Sequence, residues 1–419
     1  MNKIKRVSSL LLALLLLSSF TVLLPSCAQS EEVVLNVYNW GEYISDGSDD
    51  SLAVNQEFEN YFNETLAEKY GFTVKVNYTT YSSNEELYAK LKNTNTSYDV
   101  IIPSDYLLAR LIRDGMLHKL NFDNIPNFEY IDSTYIEQNY YDPTNEYSVP
   151  YTMGKVGIIY NQSLIEDEIN SIQALWDPKY EELGILQFNN SRDSFALAQF
   201  LAGDPINISV KEPGGKAVWD NAYKKLIEQK PIVQKYVMDE VFNKMETGNA
   251  AIAAYYAGDY FTMYASNEDL AFVYPIEGSN SFIDAMCIPT CSKNKEIAEL
   301  YINFMLDPEI ARANAEYICY ASPHTEVFNN EEYIEYMTEE VHPNAIDILY
   351  NDFEKDFISE GFTALDDETQ EYLNHLWDSL KMDGTTPIYL YVVSGTIVAI
   401  IVVAAVFFTI RKKRREKTY

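Results

Sequence analysis

Histidine is nearly absent from this chain: His118, His324, His342 and His375 are the four in 419 residues, and they are scattered. No HExxH pair, no phosphate-cradling glycine loop and no nucleophile elbow accompanies them, so the usual sequence signatures of metalloproteases, P-loop enzymes and α/β-hydrolases are missing. Basic residues are scarce as well. Lys and Arg number 31 against 63 Asp and Glu, a formal charge of −32. Such a surface repels nucleic acid, and no basic stripe exists outside the C-terminal tail. A cationic solute is the better partner, although acid in excess also serves simply as a solubilising surface. Cysteine is sparse too: beyond Cys27 there are Cys287, Cys291 and Cys319, an odd number that allows at most one disulfide. Cys287-x₃-Cys291 has no nearby His or second Cys pair, which argues against a metal site and for buried or partly buried thiols. No metal or cofactor is expected.

Long uncharged runs occur only at the two ends. Lys3, Lys5 and Arg6 precede the apolar stretch Val7–Leu24, and Leu24-Pro25-Ser26-Cys27 has the form of a bacterial lipoprotein signal, with Cys27 as the lipidated residue. Pro25 is unusual there, and a simple secretory signal cut near Ala28 is the alternative; either way residues 1–26 stand outside the fold. At the other end Ile388–Ile410 is twenty-three residues without a charge, followed by Arg411, Lys412, Lys413, Arg414 and Arg415. At about 1.5 Å per residue the run reaches roughly 34 Å, enough to cross a hydrocarbon core of about 30 Å. The basic tail 411–419 is expected to stay cytoplasmic, which puts everything before Pro387 on the outer face of the membrane.

The body between these ends is too long for one small core, and its length predicts two lobes. Val33–Tyr38 reads as a strand and Phe58–Tyr70 as a helix stopped by Gly71, where a left-handed position suits glycine. Phe72–Tyr78 returns to strand. Ser83-Asn84-Glu85-Glu86 is a capping box opening a helix over Glu85–Leu91, Asp99–Ile102 is a short strand, and Ser104 is placed to cap a helix over Leu107–Asp114. This alternation means a parallel, doubly wound α/β lobe, whose ligands sit beyond the carboxyl ends of the strands. Tyr147–Tyr151 reads as an extended crossover into a second lobe, with strands at Gly157–Tyr160 and Ala250–Tyr255 and helices near Ser194–Ala202 and Lys216–Gln229.

Several segments, taken in order, resemble a known family. Tyr38-Asn39-Trp40-Gly41-Glu42-Tyr43, Thr80-Tyr81-Ser82-Ser83-Asn84-Glu85, Asp99-Val100-Ile101-Ile102-Pro103-Ser104-Asp105-Tyr106 and Tyr147-Ser148-Val149-Pro150-Tyr151 are similar to the bacterial spermidine/putrescine-binding proteins. Tyr256-Ala257-Gly258-Asp259, Pro275-Ile276-Glu277-Gly278, Ile283-Asp284-Ala285-Met286 and Ile302-Asn303-Phe304-Met305 continue the series, and the resemblance spans roughly residues 33–381. It implies a type II, two-lobed periplasmic-binding-protein-like α/β fold, each lobe a doubly wound sheet flanked by helices. Lobe I would be 33–148 with 284–315, and lobe II 149–283 with 316–383. It also implies a receptor that hands a polyamine to the permease subunits of an ABC transporter and catalyses nothing.

The residues fit that implied ligand. A polyamine is an alkyl chain bearing ammonium groups, so its receptor needs rings for the methylenes and cations and carboxylates for the charges. By resemblance Trp40, Tyr43, Tyr106, Tyr256, Phe282 and Tyr320 line the slot, where ring faces attract ammonium by roughly 0.5–2 kcal/mol each. Asp193, Asp259 and Asp284 would grip amines, Ser104 would add a hydroxyl, and Glu354 would hold the ligand near the C-terminus. There are departures from the pattern. Asn190 stands where spermidine-preferring members carry Asp, Gly41 replaces a hydroxyl residue, Asp193 replaces Glu and Tyr256 replaces Trp; with Asp259 present the balance tips slightly toward putrescine. Two other classes bear on the same residues. Adjacent Tyr255 and Tyr256 suit a ferric-ion receptor of the same fold, although strand alternation would let only one of them face a cleft. Asp259 and Asp284 suit a glycan-active hydrolase using paired carboxylates.

Overall fold

The computed structural model describes residues 31–93, 96–137, 139–351 and 358–382. The expected signal segment with Cys27, Glu354, the apolar run Ile388–Ile410 and the basic tail lie outside the described residues. Among the described residues no helix is long and apolar enough to cross a membrane.

Strand β1 (Glu31–Trp40) and strand β2 (Phe72–Tyr81) are joined by helical turns over Val54–Tyr61, a wider π-helical turn over Phe62–Leu66 and a last turn Ala67–Tyr70. Gly71 ends that helix at φ 82°, the left-handed conformation its lack of Cβ permits. Helix α1 (Asn84–Leu91), the short β3 (Val100–Ile101) and helix α2 (Asp105–Arg113) follow. The capping box forms as read: Ser83 accepts from the Glu86 amide at 3.1 Å, and the Glu86 carboxylate takes the Ser82 amide at 3.1 Å. Ser104 departs from expectation. It occupies the N-cap position of α2 but makes no capping bond, because the Asn84 amide claims its hydroxyl at 3.0 Å.

The expected crossover and the strand after it are one element, β4 (Ser148–Asn161). Then come β5 (Ile185–Phe188), α3 (Ser191–Ala202), α4 (Gly215–Gln229), β6 (Val233–Val237), β7 (Ile252–Tyr256), α5 (Ala257–Ser266), β8 (Leu270–Val273) and β9 (Ser279–Cys287). Helices α6 (Lys295–Met305) and α7 (Pro308–Ile318) follow, then short helical turns between Thr325 and Leu349, strand β10 (Ser359–Gly361) and helix α8 (Asp367–Met382). The sheet runs β2-β1-β3-β9-β4-β7-β5-β6, with β10 on β9 and β8 on β4. The βαβ stretches pair in parallel, β1 with β3 and β5 with both β6 and β7, whereas β4 runs antiparallel to β7, β8 and β9, and β9 runs antiparallel to β3 and β4 but parallel to β10.

By internal contacts the chain forms two compact units. The smaller includes Glu59–Lys75, where Phe62 packs on Tyr70 and Phe72 at 5.5 and 5.8 Å and Asn63 exchanges two hydrogen bonds with the Val74 backbone at 2.7 and 2.9 Å. The larger, Leu35–Phe58 and the described residues from Val76 on, holds separate apolar cores. One gathers Tyr38, Leu87, Ile101, Leu108, Leu111 and the β9 residues Ala285 and Cys287. Another gathers the β4 residues Val156, Ile158 and Ile159 with Ile185, Leu186, Ile252 and Phe261. Burying each Val, Leu, Ile or Phe among them contributes about 1.5–3 kcal/mol. Strand β4 contributes to the second core and β9 to the first, the two strands pair side by side, and Asn280, Phe282 and Asp284 of β9 face a gap. Cys287, Cys291 and Cys319 are free thiols, the first and last buried.

Candidate ligand-binding site

The gap is a cleft whose walls contain ten of the eleven ligand residues expected from sequence: Trp40, Tyr43, Ser104, Tyr106, Asp193, Tyr256, Asp259, Phe282, Asp284 and Tyr320. The eleventh, Glu354, lies outside the described residues. Three helix N-termini that follow strands supply much of the wall. Ser104 and Tyr106 open α2 after β3; Asn190 and Asp193 open α3 after β5; Tyr256 and Asp259 open α5 after β7. Asn190 is the N-cap of α3, its Oδ1 accepting from the Asp193 amide at 2.9 Å, so local capping chemistry fixes Asp193 at the third helical position. Strand alternation on β9 aims Asn280, Phe282 and Asp284 at the same side.

Glycine makes room for the rings at two places. A Cβ on Gly258 would stand 2.3 Å from the Tyr320 ring, and one on Gly154 would stand 2.5 Å from the Phe282 ring. Tyr43 meets Tyr320 edge-on at 4.7 Å, and Tyr256 meets Phe282 edge-on at 5.4 Å. At Gly41, which replaces a hydroxyl residue of the family pattern, a Cβ would come 2.8 Å from Oδ2 of Asp239, the tip of an exposed side chain that can turn aside.

Five carboxylates line the cleft, Glu85, Asp193, Asp239, Asp259 and Asp284, and the described lining contains no basic residue. Asp284 is 3 % exposed. Its Oδ2 accepts from the Tyr43 hydroxyl at 2.8 Å, while Oδ1 has no partner at hydrogen-bonding geometry, the nearby Ser104 hydroxyl notwithstanding. Burial pushes its pKa up to about 7, against the opposing pull of the Ser104 and Tyr43 hydroxyls. Burial likewise pushes Asp259 up to about 8, with Tyr320 opposing and Asp239 and Glu42 adding to the rise. Asp193 is raised for the same cause although it accepts from Tyr256 at 3.0 Å and from Asn280 at 3.2 Å. A buried guanidinium stands behind this end: Arg192 lies 4.3 Å over the Phe362 ring and 5.6 Å from that of Tyr106.

Alternation failed for one pair. Tyr255 and Tyr256 both line the cleft, since β7 ends at Tyr256 and the chain turns there into α5. Burial holds both phenols well above their ordinary pKa. Sequence reasoning also missed Glu85, Asp239, Asn280 and Phe362. Asn280 carried a usable signal, its spacing of two from Phe282 and of four from Asp284; the others had none.

Family comparison follows this geometry. A family model described as bacterial extracellular solute-binding protein matches residues 95–338, and a hypothetical lipoprotein (MG045 family) model matches residues 33–139. The spermidine/putrescine-binding periplasmic protein of Salmonella typhimurium is 32% identical over 296 residues, covering 70% of this chain and 78% of that protein. The chain belongs to the bacterial extracellular solute-binding protein family, alongside the spermidine/putrescine-binding proteins. Another family relative, the putrescine-binding periplasmic protein SpuD of Pseudomonas aeruginosa, is 29% identical over 324 residues, covering 73% of this chain and 82% of its own. Among solved structures, the spermidine/putrescine ABC transporter substrate-binding protein PotD from Streptococcus pneumoniae superposes with a TM-score of 0.64 at 30% identity, over 84% of this chain and 99% of that one. The fold is thus the type II periplasmic-binding-protein-like α/β class expected from sequence.

Proposed function

We propose that this chain is the extracytoplasmic receptor of an ABC transporter that captures a polyamine, putrescine or spermidine, and delivers it to the permease. The carrying observation is the cleft itself: five carboxylates and no basic residue in the described lining, with rings between them. Ammonium groups compensate the acids and methylenes lie against the rings, each charge-assisted hydrogen bond contributing about 1.5–3 kcal/mol. Binding is the whole activity, with no bond made or broken. The ligand residues we assign are Trp40, Tyr43, Ser104, Tyr106, Asp193, Tyr256, Asp259, Phe282, Asp284, Tyr320 and, beyond the described residues, Glu354. We assign lobe I to 33–148 with 284–315 and lobe II to 149–283 with 316–383, closing about β4 and β9 as the ligand binds. Calorimetry of the detergent-solubilised full chain against putrescine, spermidine and spermine tests this reading, and the absence of heat with all three overturns it. Ferric ion is the control, and the raised phenol pKa values of Tyr255 and Tyr256 oppose the phenolates it needs.

Ligand choice rests on Asn190, which lines the cleft beside Asp193. Asp caps a helix as well as Asn does, so Asn190→Asp keeps α3 and adds a charge. The variant is expected to bind spermidine more tightly while changing putrescine less, since only the triamine has a further ammonium to place. Equal changes in the two dissociation constants would remove Asn190 from selectivity.

For location we assign a lipid on Cys27 and a spanning helix over Ile388–Ile410, either of which would hold the receptor beside its permease. Because one spanning helix retains a protein effectively irreversibly, Cys27→Ser is expected to stay in the membrane fraction, and deletion of 388–419 as well is expected to release it. Full-length Cys27→Ser protein recovered from the medium contradicts the spanning helix.

A further inference from the structure

Behind the cleft, strand β4 carries an irregularity that this function would use. Opposite β9, Pro150 pairs with Ala285 and Thr152 with Asp284, so Tyr151 is an extra residue and the strand bulges. A bulge breaks period-two alternation and lets neighbouring side chains reach one target. Here the target is Tyr43. Tyr151 donates its hydroxyl to the Tyr43 carbonyl at 2.8 Å and accepts the Asn314 amide at 2.8 Å. Thr152, 2 % exposed, meets the Tyr43 hydroxyl through its own Oγ1. Tyr43 is thereby held at its main chain and at its phenol by consecutive residues of the bulge.

The proton directions follow from valence. A phenol has one proton. When Asp284 is ionised it can only accept, so Tyr43 gives that proton to Oδ2 at 2.8 Å and must itself accept from Thr152. Hydrogen bonds in such a chain strengthen one another. Its consequence lies on the other oxygen: with Oδ2 fixed by Tyr43, Oδ1 is the buried atom without a partner. We propose that Thr152 is a positioning residue which, through Tyr43, orients Asp284 so that Oδ1 is presented to a ligand ammonium; this rests on the polyamine-receptor reading. Thr152 itself does not line the cleft, and ligand contact is left to Asp284.

The test uses the full chain in detergent with Thr152→Val, which keeps the shape and removes the hydroxyl, and Thr152→Ser, which restores it. Calorimetry with putrescine and spermidine is expected to show affinity about five- to tenfold weaker for Val and within about twofold of the unaltered protein for Ser. In a Tyr43→Phe background the Val change is expected to add nothing, because the chain is already cut. Without ligand, ¹³C NMR titration of the Asp284 carboxyl is expected to place its midpoint about half a pH unit higher in Val and back in place in Ser. A midpoint indifferent to the hydroxyl, or Ser behaving as Val does, overturns the inference. If the unaltered protein binds no polyamine the receptor reading fails, and the ligand-free midpoint still decides the orientation of Asp284 by Thr152.

Discussion

Asp284→Asn is expected to weaken polyamine binding by about 2–4 kcal/mol, roughly 30- to 1000-fold, the cost of leaving a buried ammonium without its counter-charge. Asn matches Asp in shape, so the surrounding rings need not move. If its carbonyl accepts from Tyr43, a repelling NH₂ stands where Oδ1 now is; if it turns over, a neutral carbonyl faces the ligand and the bond donated by Tyr43 is lost. The ligand-free protein responds in the opposite sense. Burial makes the ionised Asp284 costly to the fold, and at pH 8 the neutral amide removes that cost; the variant is therefore expected to melt at or above the temperature of the unaltered protein. The two measurements separate a binding role from a structural one. An unchanged dissociation constant takes Asp284 out of the site, and a lowered melting temperature assigns the affinity loss to misfolding.

How far such a site was legible in the sequence depends on where each residue's position is decided. Asp193 and Asp259 sit three places into a helix that follows a strand, so local capping and the strand-to-helix turn put them where they are. Such residues can be found in order along a chain. Phe282 and Asp284 share one side of β9 through alternation, again a local rule. Glu85 is a different case. The capping box uses Ser83 and, three residues on, Glu86, leaving Glu85 free of the cap and facing the cleft, and the motif says nothing of where Glu85 goes. Ser104 looked like a cap because the position is right, but the helix that brings Asn84 to its hydroxyl comes from twenty residues away. Tyr255 needed knowledge of where β7 stops. The continuous strand β4 was read as a crossover plus a strand because Pro150 and Gly154 interrupt its pattern; Gly154 is where the Phe282 ring must fit.

The acids impose a condition on when the receptor works. An ammonium ligand stays charged below about pH 9, since amines of this type resemble lysine with a pKa near 10.4. The carboxyls change instead. Asp284 near 7 and Asp259 near 8 keep their protons in the empty cleft well above the ordinary carboxylate range because burial penalises the charge, and each must lose its proton to pair with an amine. Affinity is therefore expected to fall by roughly 500-fold from pH 8 to pH 6. At pH 7 binding is expected to release protons, visible as calorimetric heats that scale with the ionisation enthalpy of the buffer.

The sign for stability is opposite to that for binding. In the unfolded chain these acids ionise near pH 4, whereas the folded, empty protein holds their protons to about pH 7 and 8. The stability this contributes is complete below the unfolded value and is lost as pH rises through the folded one. Melting temperature without ligand is thus expected to fall from pH 5 to pH 8.5, while saturating putrescine or spermidine removes or reverses the fall by supplying the missing positive charge. Asp284→Asn should lessen the fall in melting temperature up to about pH 7 and leave the fall that belongs to Asp259, which continues to about pH 8. Affinity constant between pH 6 and 8, with no proton release, would mean that these carboxyls are ionised before the ligand arrives, and the cleft would then be a preformed anionic site rather than one charged by its ligand.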